Sequence, residues 1–454
     1  MTTAHPPETL RAQLAGSVLS PSDAAYEDAR RVHNGLIDRR PVLVARCHGT
    51  ADVQAAVRYA REHNLEIAVR GGGHNVAGNA VCDDGLMIDL SAMRGVHVDP
   101  RGRRARAQGG ATWGDYNRET QLYGLASTGG VVSSTGVGGL TLGGGLGWLM
   151  GRHGMAVDNL RAAEIVTATG DVVRASADEH PDLFWAVRGG GGNFGVATWL
   201  EYELHPVGPM VTGGLVAHPL SAARDVLRFY RDFTASLPDE LTSFAGLLHA
   251  PDGSGTKLVA IMVCHSGKPE AGATAVAPVK RFGSPVMDVI GPMPYTVVNT
   301  LFDAGFPKGA LNYWKSNFLS ALGDAAIETM IERFTAAPSP MSALLLEHFH
   351  GAATRVGPTD TAFPHRAVGY NFLAVAEWLD ATATRPNVAW ARDAYAAMGP
   401  HFAAGRYVNY LNADEVDEGS AVAAAFGPNW KRLREVKRQC DPDNVFHLNQ
   451  NIKP

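Results

Sequence analysis

The sequence is poor in cysteine and has no concentration of positive charge. Its four cysteines, Cys47, Cys82, Cys264 and Cys440, are far apart and form no Cys-x-x-Cys pair. Neither a zinc site nor a disulfide framework is therefore indicated. The formal net charge is −5 and there is no long basic run, whereas a nucleic-acid-binding protein needs a basic face. A nucleic-acid partner is not expected.

Long hydrophobic runs are also missing from the sequence. No stretch of about 18 apolar residues occurs, so no membrane span is predicted. Residues 1–16 lack the basic and apolar regions of a secretory signal. We therefore expect a cytoplasmic protein without a membrane partner, and these features leave its oligomeric state open. The 454 residues allow two or three domains with ample core.

Glycine is the residue in excess, with 51 copies against a usual share of roughly 7%. The glycines concentrate in three clusters at residues 71–73, 129–147 and 189–195. Backbone without Cβ atoms can approach a ligand closely, and a nest of amides suits a pyrophosphate. No cluster matches the P-loop or the Rossmann fingerprint. The clusters predict several loops converging on one elongated, phosphate-bearing ligand.

The order of predicted elements indicates an α+β protein. Strands and helices alternate from residue 41, and the second glycine cluster is predicted to be a loop wrapped around a ligand. Glycine becomes rarer after Pro206, and the sequence changes character again near residue 400. We therefore expect three segments: residues 1–206, residues 207–399 and residues 400–454.

His74 directly follows the first glycine cluster, which itself follows a predicted strand at residues 65–69. Histidine titrates near neutral pH and is a good nucleophile, so its position beside a predicted anion site favours a chemical role. Taken alone, the local sequence is equally compatible with an ordinary turn that carries a surface histidine.

Several segments together resemble the berberine-bridge-enzyme-like FAD-linked oxidases of the vanillyl-alcohol-oxidase superfamily. The resemblance covers about residues 38–206 and 400–454, and the length is similar to that of the bacterial hydroxynicotine-oxidase-like subgroup. Residues 207–399 resemble the family less, apart from residues 363–366. The segments that carry the resemblance are residues 70–75, 136–145, 158–160, 183–191, 407–410 and 441–452.

The resemblance implies an α+β fold with two domains. Both ends of the chain would form an FAD domain of the vanillyl-alcohol-oxidase type. Residues 207–399 would form a substrate-binding domain, an antiparallel sheet covered by helices. His74 would carry FAD covalently through the flavin 8α-methyl. Plant members add a second link through a cysteine where this chain has Val132, so a single link is expected. The other implied cofactor-binding residues are Arg70, Gly71, Gly72, Gly73, Asn75, Gly78, Thr135, Gly136, Gly138, Gly139, Gly143, Asn159, Asn409 and Asn449.

The implied reaction removes a hydride from a carbon bearing an alcohol or amine and passes electrons to O₂, giving H₂O₂. Thr135 falls where the family controls access of O₂ to the flavin, and a valine-sized residue there favours an oxidase. Three alternatives stay open: a flavin-dependent monooxygenase-like tailoring enzyme, a dehydrogenase with another acceptor, and a flavin-binding protein without turnover. The substrate is expected to be a small molecule.

The resemblance points to Tyr410 as the catalytic base, with Tyr407 beside it. A tyrosine has a pKa near 10, so proton removal requires a lowered pKa. The flavin, Lys315 or the adjacent tyrosine could lower it. Tyr407 lies on a predicted alternating strand, where core packing explains it equally well.

Aromatic and polar residues are mixed on strand-like runs in the middle of the chain. Alternation places Glu347 and Phe349 on one face, and His348 and His350 on the other. The two histidines lack an evident third ligand, so no metal site is predicted. The candidate substrate contacts are Tyr313, Lys315, Glu347, His348 and Tyr370.

Overall fold

The computed structural model describes residues 7–416 and 420–454. Residues before 207 form two sheets and a small ribbon. The first sheet has four strands in the spatial order Ser17–Leu19, Leu43–Arg46, Leu86–Asp89 and Ile67–Arg70. The second has five in the order Val96–Asp99, Arg104–Gln108, Val196–Glu203, Leu160–Val166 and Val172–Ser176. The ribbon pairs Leu125–Ala126 with His205–Pro206.

The first sheet contains a parallel unit that positions the first glycine cluster. Leu43–Arg46 and Ile67–Arg70 both pair in parallel with Leu86–Asp89, and the helix Thr50–Glu62 connects the first two. These strands are nearly continuous apolar runs because the sheet is buried on both faces. The chain leaves the sheet at Arg70, so residues 71–75 form the loop at its edge.

Residues 210–378 form a larger sheet of eight strands in which every pairing is antiparallel. Its outer face packs against helices. Its inner face packs against Leu146 of the second glycine cluster and against Trp148, which follows that cluster. The strands, in spatial order, are Met287–Asp288, Met210–Pro219, Lys257–His265, Leu241–His249, Ala343–Phe349, Gly369–Trp378 and Leu311–Leu319, with Gly291–Pro294 also paired to the second of these.

The helices vary widely in length. The long ones cover the eight-stranded sheet or the first two sheets, and the short ones interrupt loops, including the second glycine cluster, which is therefore not a loop throughout. The helices are Pro7–Arg11, Tyr26–Ala29, Thr50–Glu62, Trp113–Thr120, Val137–Leu142, Met150–His153, Ala156–Asn159, Pro181–Val187, Ala223–Thr234, Pro269–Arg281, Tyr295–Val298, Asp324–Thr335, Ala352–Arg355, Thr384–Met398, Ala413–Val416, Ser420–Phe426 and Trp430–Cys440.

The C-terminal residues return to the first part of the chain. Lys437 is fully buried and its ammonium donates to the carbonyl of Asn193 (2.8 Å), the carboxylate of Asp441 (2.7 Å) and the carbonyl of Phe446 (2.9 Å). A buried cation paired in this way fixes the segments it joins, because removing one partner would leave an uncompensated charge. The third glycine cluster is thereby tied to the C-terminal tail.

The predicted α+β fold is confirmed. The segment boundaries near residues 206 and 400 stay predictions, although Val408, Leu433 and Ile452 share a core with the five-stranded sheet. Within the described residues, no helix has the length and apolar character needed to cross a membrane. A cytoplasmic location stays a prediction.

Candidate active site

One cavity extends from the glycine-rich loops to the inner face of the eight-stranded sheet. Its volume is about 300 Å³, at the lower end of the range for small-molecule sites. All three glycine clusters line it, as do residues 446 and 448–450. The cavity therefore joins the two halves of the molecule. The eight-stranded sheet and its loops contribute Phe244, Met262, Phe302, Phe306, Trp314, Leu345, Glu347 and Leu373.

The first two glycine clusters touch through their backbones. A Cβ built on Gly72 would lie 2.3 Å from the amide nitrogen of Gly136, and a Cβ on Gly136 would lie 2.3 Å from that of Gly72. Any side chain at either position would force the loops apart, so both positions require glycine. The contact brings the two loops to the same wall of the cavity.

We expect Gly136→Ala to lower the free energy of unfolding by about 1–3 kcal/mol, the usual effect of overpacking. Gly136 has a φ of −69°, which alanine adopts freely, so the contact with Gly72 alone would cause the loss. Urea denaturation measures it. Gly399→Ala is the matched control because no atom lies within 4 Å of its built Cβ. Equal losses in both variants would contradict the steric explanation.

The cavity wall is open where glycines of the second and third clusters face it. No atom lies within 4 Å of a Cβ built on Gly139, and the nearest to one on Gly192 is Asn449 Nδ2 at 4.0 Å. Three buried polar atoms of lining residues, Asn79 Nδ2, Asn449 Oδ1 and Gln450 Nε2, have no hydrogen-bond partner among the described residues. Because buried polar groups are normally paired, these atoms fit a ligand with polar groups along its length.

His74 lies at the cavity wall. Its Nε2 is 2.9 Å from the hydroxyl oxygen of Ser134, and its ring stacks on His33 with centroids 3.8 Å apart. Burial, with smaller contributions from His33 and Lys308, lowers the pKa of His74 to about 3. The imidazole is therefore neutral at physiological pH, and one ring nitrogen keeps a free lone pair.

Most of the residues predicted to bind the cofactor do line the cavity. Val132, the residue at the position of the plant cysteine, lines it as well. The four cysteines all lie in the described residues, and none of them lines the cavity. Besides His74, the predicted residues found in the wall are Gly71, Gly72, Gly73, Asn75, Thr135, Gly136, Gly138, Gly139, Asn409 and Asn449.

Arg70 and Gly78 were predicted to bind the cofactor, and neither lines the cavity. The Arg70 guanidinium donates to both carboxylate oxygens of Asp89, at 2.9 and 2.5 Å, and to the carbonyl of Arg31 at 2.9 Å. It therefore fixes the edge of the first sheet. Gly78 faces away, since a Cβ there would lie 2.7 Å from the side chain of Ile37.

Gly143 and Asn159 do not line the cavity either, and their assignment to the cofactor stays a prediction. A Cβ on Gly143 would lie 2.0 Å from Asn409 Oδ1, so this glycine admits a side chain that does line the cavity. Asn159 Nδ2 donates to the carbonyls of His153 (2.9 Å) and Met155 (2.8 Å). These bonds hold the short helices after the second glycine cluster.

Tyr407 and Tyr410 meet at the cavity wall, with ring centroids 4.7 Å apart. Tyr407 immediately precedes the 3₁₀ turn Val408–Tyr410 and Tyr410 is its last residue, so the predicted alternating strand is absent here. Residues three apart in such a turn lie on one side. The Tyr407 hydroxyl accepts from the amide of Gly145 (3.0 Å) and from Asn409 Nδ2 (3.0 Å). Burial raises the pKa of Tyr407, so its hydroxyl acts as an anchor for the second glycine cluster.

Glu347 is the only ionisable side chain that the eight-stranded sheet turns toward the cavity within the described residues. Its Oε1 accepts from the Tyr410 hydroxyl (3.1 Å) and its Oε2 from Asn371 Nδ2 (2.7 Å). The side chain is 6% exposed. Burial raises the pKa of Glu347 to about 7, against the opposing effect of its two hydrogen bonds. A carboxyl group with this pKa can accept a proton at neutral pH and release it again.

Tyr410 could act as a base only if its pKa were lowered, and the surrounding residues raise it instead. Burial, together with Glu347 and Tyr407, holds the pKa of Tyr410 well above its usual value. Lys315 lies elsewhere, with its ammonium 3.1 Å from Asp414 and 3.3 Å from Glu415. The assignment of Tyr410 as base stays a prediction, but neither Lys315 nor Tyr407 supports it.

Four of the five predicted substrate contacts do not line the cavity. Alternation turns them toward the helices on the outer face of the sheet, whereas Glu347 points inward. The hydroxyl of Tyr313 donates to Asp414 (2.6 Å), and that of Tyr370 lies 2.7 Å from the Thr234 hydroxyl. The four are Tyr313, Lys315, His348 and Tyr370.

Residues 299–306 form a part of the site that the sequence did not indicate. Asn299 Nδ2 donates to the carbonyl of Gly130 (2.5 Å), and the Asp303 carboxylate accepts from the amide (2.8 Å) and hydroxyl (2.5 Å) of Ser133. This loop of the larger sheet is therefore fastened to the second glycine cluster. The one sequence signal was a pair of aromatic residues four apart, and both line the cavity: Phe302 and Phe306.

Known proteins are similar to this chain in sequence and in fold. A family model described as an FAD binding domain matches residues 41–176, and one described as berberine and berberine like matches residues 406–453. (R)-6-hydroxynicotine oxidase of Paenarthrobacter nicotinovorans is 34% identical over 453 residues, which cover 97% of each chain. The crystal structure of 6-hydroxy-D-nicotine oxidase from Arthrobacter nicotinovorans has a TM-score of 0.89 at 32% identity, with both chains covered completely.

The fold extends to more distant proteins. The structure of a chitooligosaccharide oxidase superposes with a TM-score of 0.85 over 98% of this chain and 99% of its own, at 24% identity. That similarity concerns the fold alone. The two family matches, and the relative that is similar over its whole length, show similarity in sequence as well. This chain therefore belongs to the berberine-bridge-enzyme-like family of FAD-linked oxidoreductases.

Proposed function

We propose that this chain is an oxidase that uses FAD to remove a hydride from a carbon bearing an amine or alcohol, with O₂ as the final acceptor. The observation that carries the proposal is the buried Glu347–Tyr410 pair, which faces the glycine loops across one cavity. A proton acceptor opposite a cofactor cradle is the arrangement that such an oxidation requires. The relative of similar length is itself named as an oxidase.

The cavity wall on the loop side fits FAD. A Cβ built on Gly139, Gly191 or Gly192 would meet no atom closer than 3.8 Å, so the backbone at these lining glycines leaves room for a pyrophosphate. The unpaired buried atoms of Asn79, Asn449 and Gln450 suit the polar groups of the same molecule. When bound there, FAD supplies a two-electron acceptor that O₂ can reoxidise to give H₂O₂.

His74 is proposed to hold FAD through a single covalent bond. Its pKa of about 3 keeps the imidazole neutral and able to bond through a nitrogen. The Ser134 hydroxyl and the stacked His33 ring hold the imidazole in one orientation. Val132 stands at the position of the plant cysteine and cannot form a thioether, and no cysteine of the chain lines the cavity. These observations support one link rather than two.

Glu347 is proposed to take the proton from the substrate N–H or O–H. As the heteroatom loses this proton, the carbon loses a hydride, and the C–N or C–O single bond becomes a double bond. The Tyr410 hydroxyl and Asn371 amide hold the two carboxylate oxygens in place. Tyr410 is thus assigned as a positioning residue, because its own pKa lies far above neutral. Thr135 lines the same cavity, and its control of O₂ access stays a prediction.

The test is to mix the flavin-loaded protein without oxygen with a panel of cyclic amines, aromatic alcohols and sugars. We expect at least one compound to bleach the flavin absorbance, and readmitted O₂ to restore it with one H₂O₂ for each substrate oxidised. Peroxide yield and flavin absorbance are the measurements.

Each alternative gives a different result. A monooxygenase would release little peroxide and place labelled oxygen from ¹⁸O₂ in the product. A dehydrogenase would be reoxidised by a dye much faster than by O₂. If no compound bleaches the flavin while the colour persists, the proposal is overturned in favour of a flavin-binding protein.

A further inference from the structure

The wall of the cavity formed by residues 207–399 is almost entirely apolar. Eight of its side chains line the cavity: seven are apolar or aromatic, and Glu347 is the eighth. The one polar atom among the seven, Trp314 Nε1, donates to Asn312 Oδ1 at 3.1 Å and is therefore occupied. A substrate on this side meets hydrocarbon, ring faces and one carboxyl group.

Aromatic rings line the same cavity as that carboxyl group, and one of them, Tyr410, hydrogen-bonds to it. Trp314 meets Tyr410 edge to face with centroids 5.8 Å apart, and Phe306 meets Trp314 in the same way at 5.7 Å. Phe302 stacks on Trp148 at 5.6 Å. The rings of Phe302, Phe306, Trp314 and Tyr410, which we call the aromatic wall, all line the cavity. Aromatic faces attract cations and pack well against flat apolar groups.

Among the described residues that line the cavity, Glu347 is the only one that can carry a full charge near neutral pH, and that charge is negative. No lysine or arginine is among the described residues that line it, and the lining histidines His33 and His74 are neutral because burial lowers the pKa of each, to about 4 and about 3. Tyr407 and Tyr410 face Glu347 and stay protonated, since the pKa of each is raised. Once ionised, Glu347 is a buried carboxylate with no countercharge in the cavity, which is unfavourable until a cation arrives.

We infer that the site takes a small hydrophobic amine that enters as a cation, paired with Glu347 inside the aromatic wall, and that it excludes sugars. This deepens the proposed function and rests on it. A sugar carries a hydroxyl on nearly every carbon, and each one buried here without a hydrogen-bond partner would weaken binding, because nothing in this wall replaces its bond to water. A protonated amine needs one partner for its charge, and Glu347 supplies it. The ammonium then gives its proton to Glu347 as the carbon loses its hydride, and the nitrogen keeps the positive charge in the C=N product.

Binding to the flavin-loaded protein tests this inference without turnover. The probe is benzyltrimethylammonium, which has no N–H to lose, compared with neopentylbenzene, its neutral carbon isostere, and with cellobiose. Calorimetry and quenching of tryptophan fluorescence measure affinity. We expect the cation to bind at least tenfold more tightly than the isostere at pH 8, and cellobiose not to bind.

The pH dependence provides a measurement that needs no variant. The ionised carboxylate is the attraction that depends on pH, so affinity for the cation should fall as pH falls through the Glu347 pKa of about 7. Between pH 8 and pH 6 the affinity for the cation should fall about tenfold. Roughly ten carboxyl groups in eleven are ionised one unit above the pKa, and roughly one in eleven one unit below it. The affinity of the neutral isostere should not change.

Two variants complete the experiment. Glu347→Gln should abolish the pH dependence and lower the preference for the cation to the small part that the aromatic wall provides. Glu328→Gln, which removes an exposed carboxylate paired with Arg224, should change neither. Equal binding of cation and isostere by the wild type, or tighter binding of cellobiose, would overturn the inference. If cellobiose instead bleaches the flavin and yields peroxide, the oxidase proposal stands and only the substrate class is wrong.

Discussion

Glu347→Gln is expected to slow anaerobic bleaching of the flavin by about 10²–10⁴-fold, the usual contribution of a general base. Glutamine keeps the shape of the side chain and can still accept from the Tyr410 hydroxyl, but its amide cannot take a proton. Stopped-flow absorbance with a saturating amine substrate measures the rate. The flavin content and the thermal midpoint should stay close to those of the wild type, because the substitution is nearly isosteric.

The pH profile separates this role from a structural one. In the wild type, kcat/KM should rise with pH and level off above the Glu347 pKa of about 7, because the base must be ionised in the free enzyme. We call this rise the acidic limb of the profile. The limb should be missing from Glu347→Gln. Tyr410→Phe removes one hydrogen bond to the carboxylate and should leave the limb in place at a reduced rate. If Tyr410→Phe loses the larger factor and the limb as well, Tyr410 is the base.

His74→Ala is expected to release all of the flavin when the protein is precipitated with acid, whereas the wild-type precipitate should stay yellow. A covalent bond survives unfolding, but the contacts of the glycine loops and of Asn449 do not, because they exist only in the folded chain. The absorbance of the supernatant near 450 nm measures the released flavin. The difference between the two proteins should be nearly complete rather than partial.

The matched control is His97→Ala, which removes an exposed imidazole on the strand Val96–Asp99. Its precipitate should remain yellow. Flavin that washes out of the wild-type precipitate would show that attachment is noncovalent. Flavin retained by His74→Ala would place the bond at another residue. Val132→Cys is uninformative in this assay, since a single link already retains the colour.

The glycine clusters allowed the cofactor side of the site to be anticipated from the sequence. A run such as residues 71–73 demands a close backbone approach whatever the rest of the chain does, and the approach of Gly72 to Gly136 is such a contact. Arg70 was harder to place from sequence. Its side chain is directed by Asp89, which stands opposite it in the parallel pairing of two strands, and local sequence carries no record of that pairing.

To predict the substrate side of the site, one must know which face of the eight-stranded sheet meets the glycine loops. Alternation separated Glu347 from His348, but it did not say which of them faces the cavity. That choice follows from the outer face being covered by helices such as Thr384–Met398, whose apolar residues pack against Tyr370 and Phe372. The raised pKa of Glu347 comes from burial that only the assembled fold creates. For the same reason, the base could not be distinguished from a substrate contact before the fold was known.

The position of the C-terminal tail bears on when the cofactor can bind during synthesis of the chain. His74 leaves the ribosome long before Asn449 and Gln450, yet all three line one cavity, and buried Lys437 joins the tail to Asn193. Domains generally fold from the N-terminus during synthesis. The nascent chain therefore carries His74 beside an open, unfinished wall. We therefore expect flavin loading, and any bond formed at His74, to follow the synthesis of residue 450.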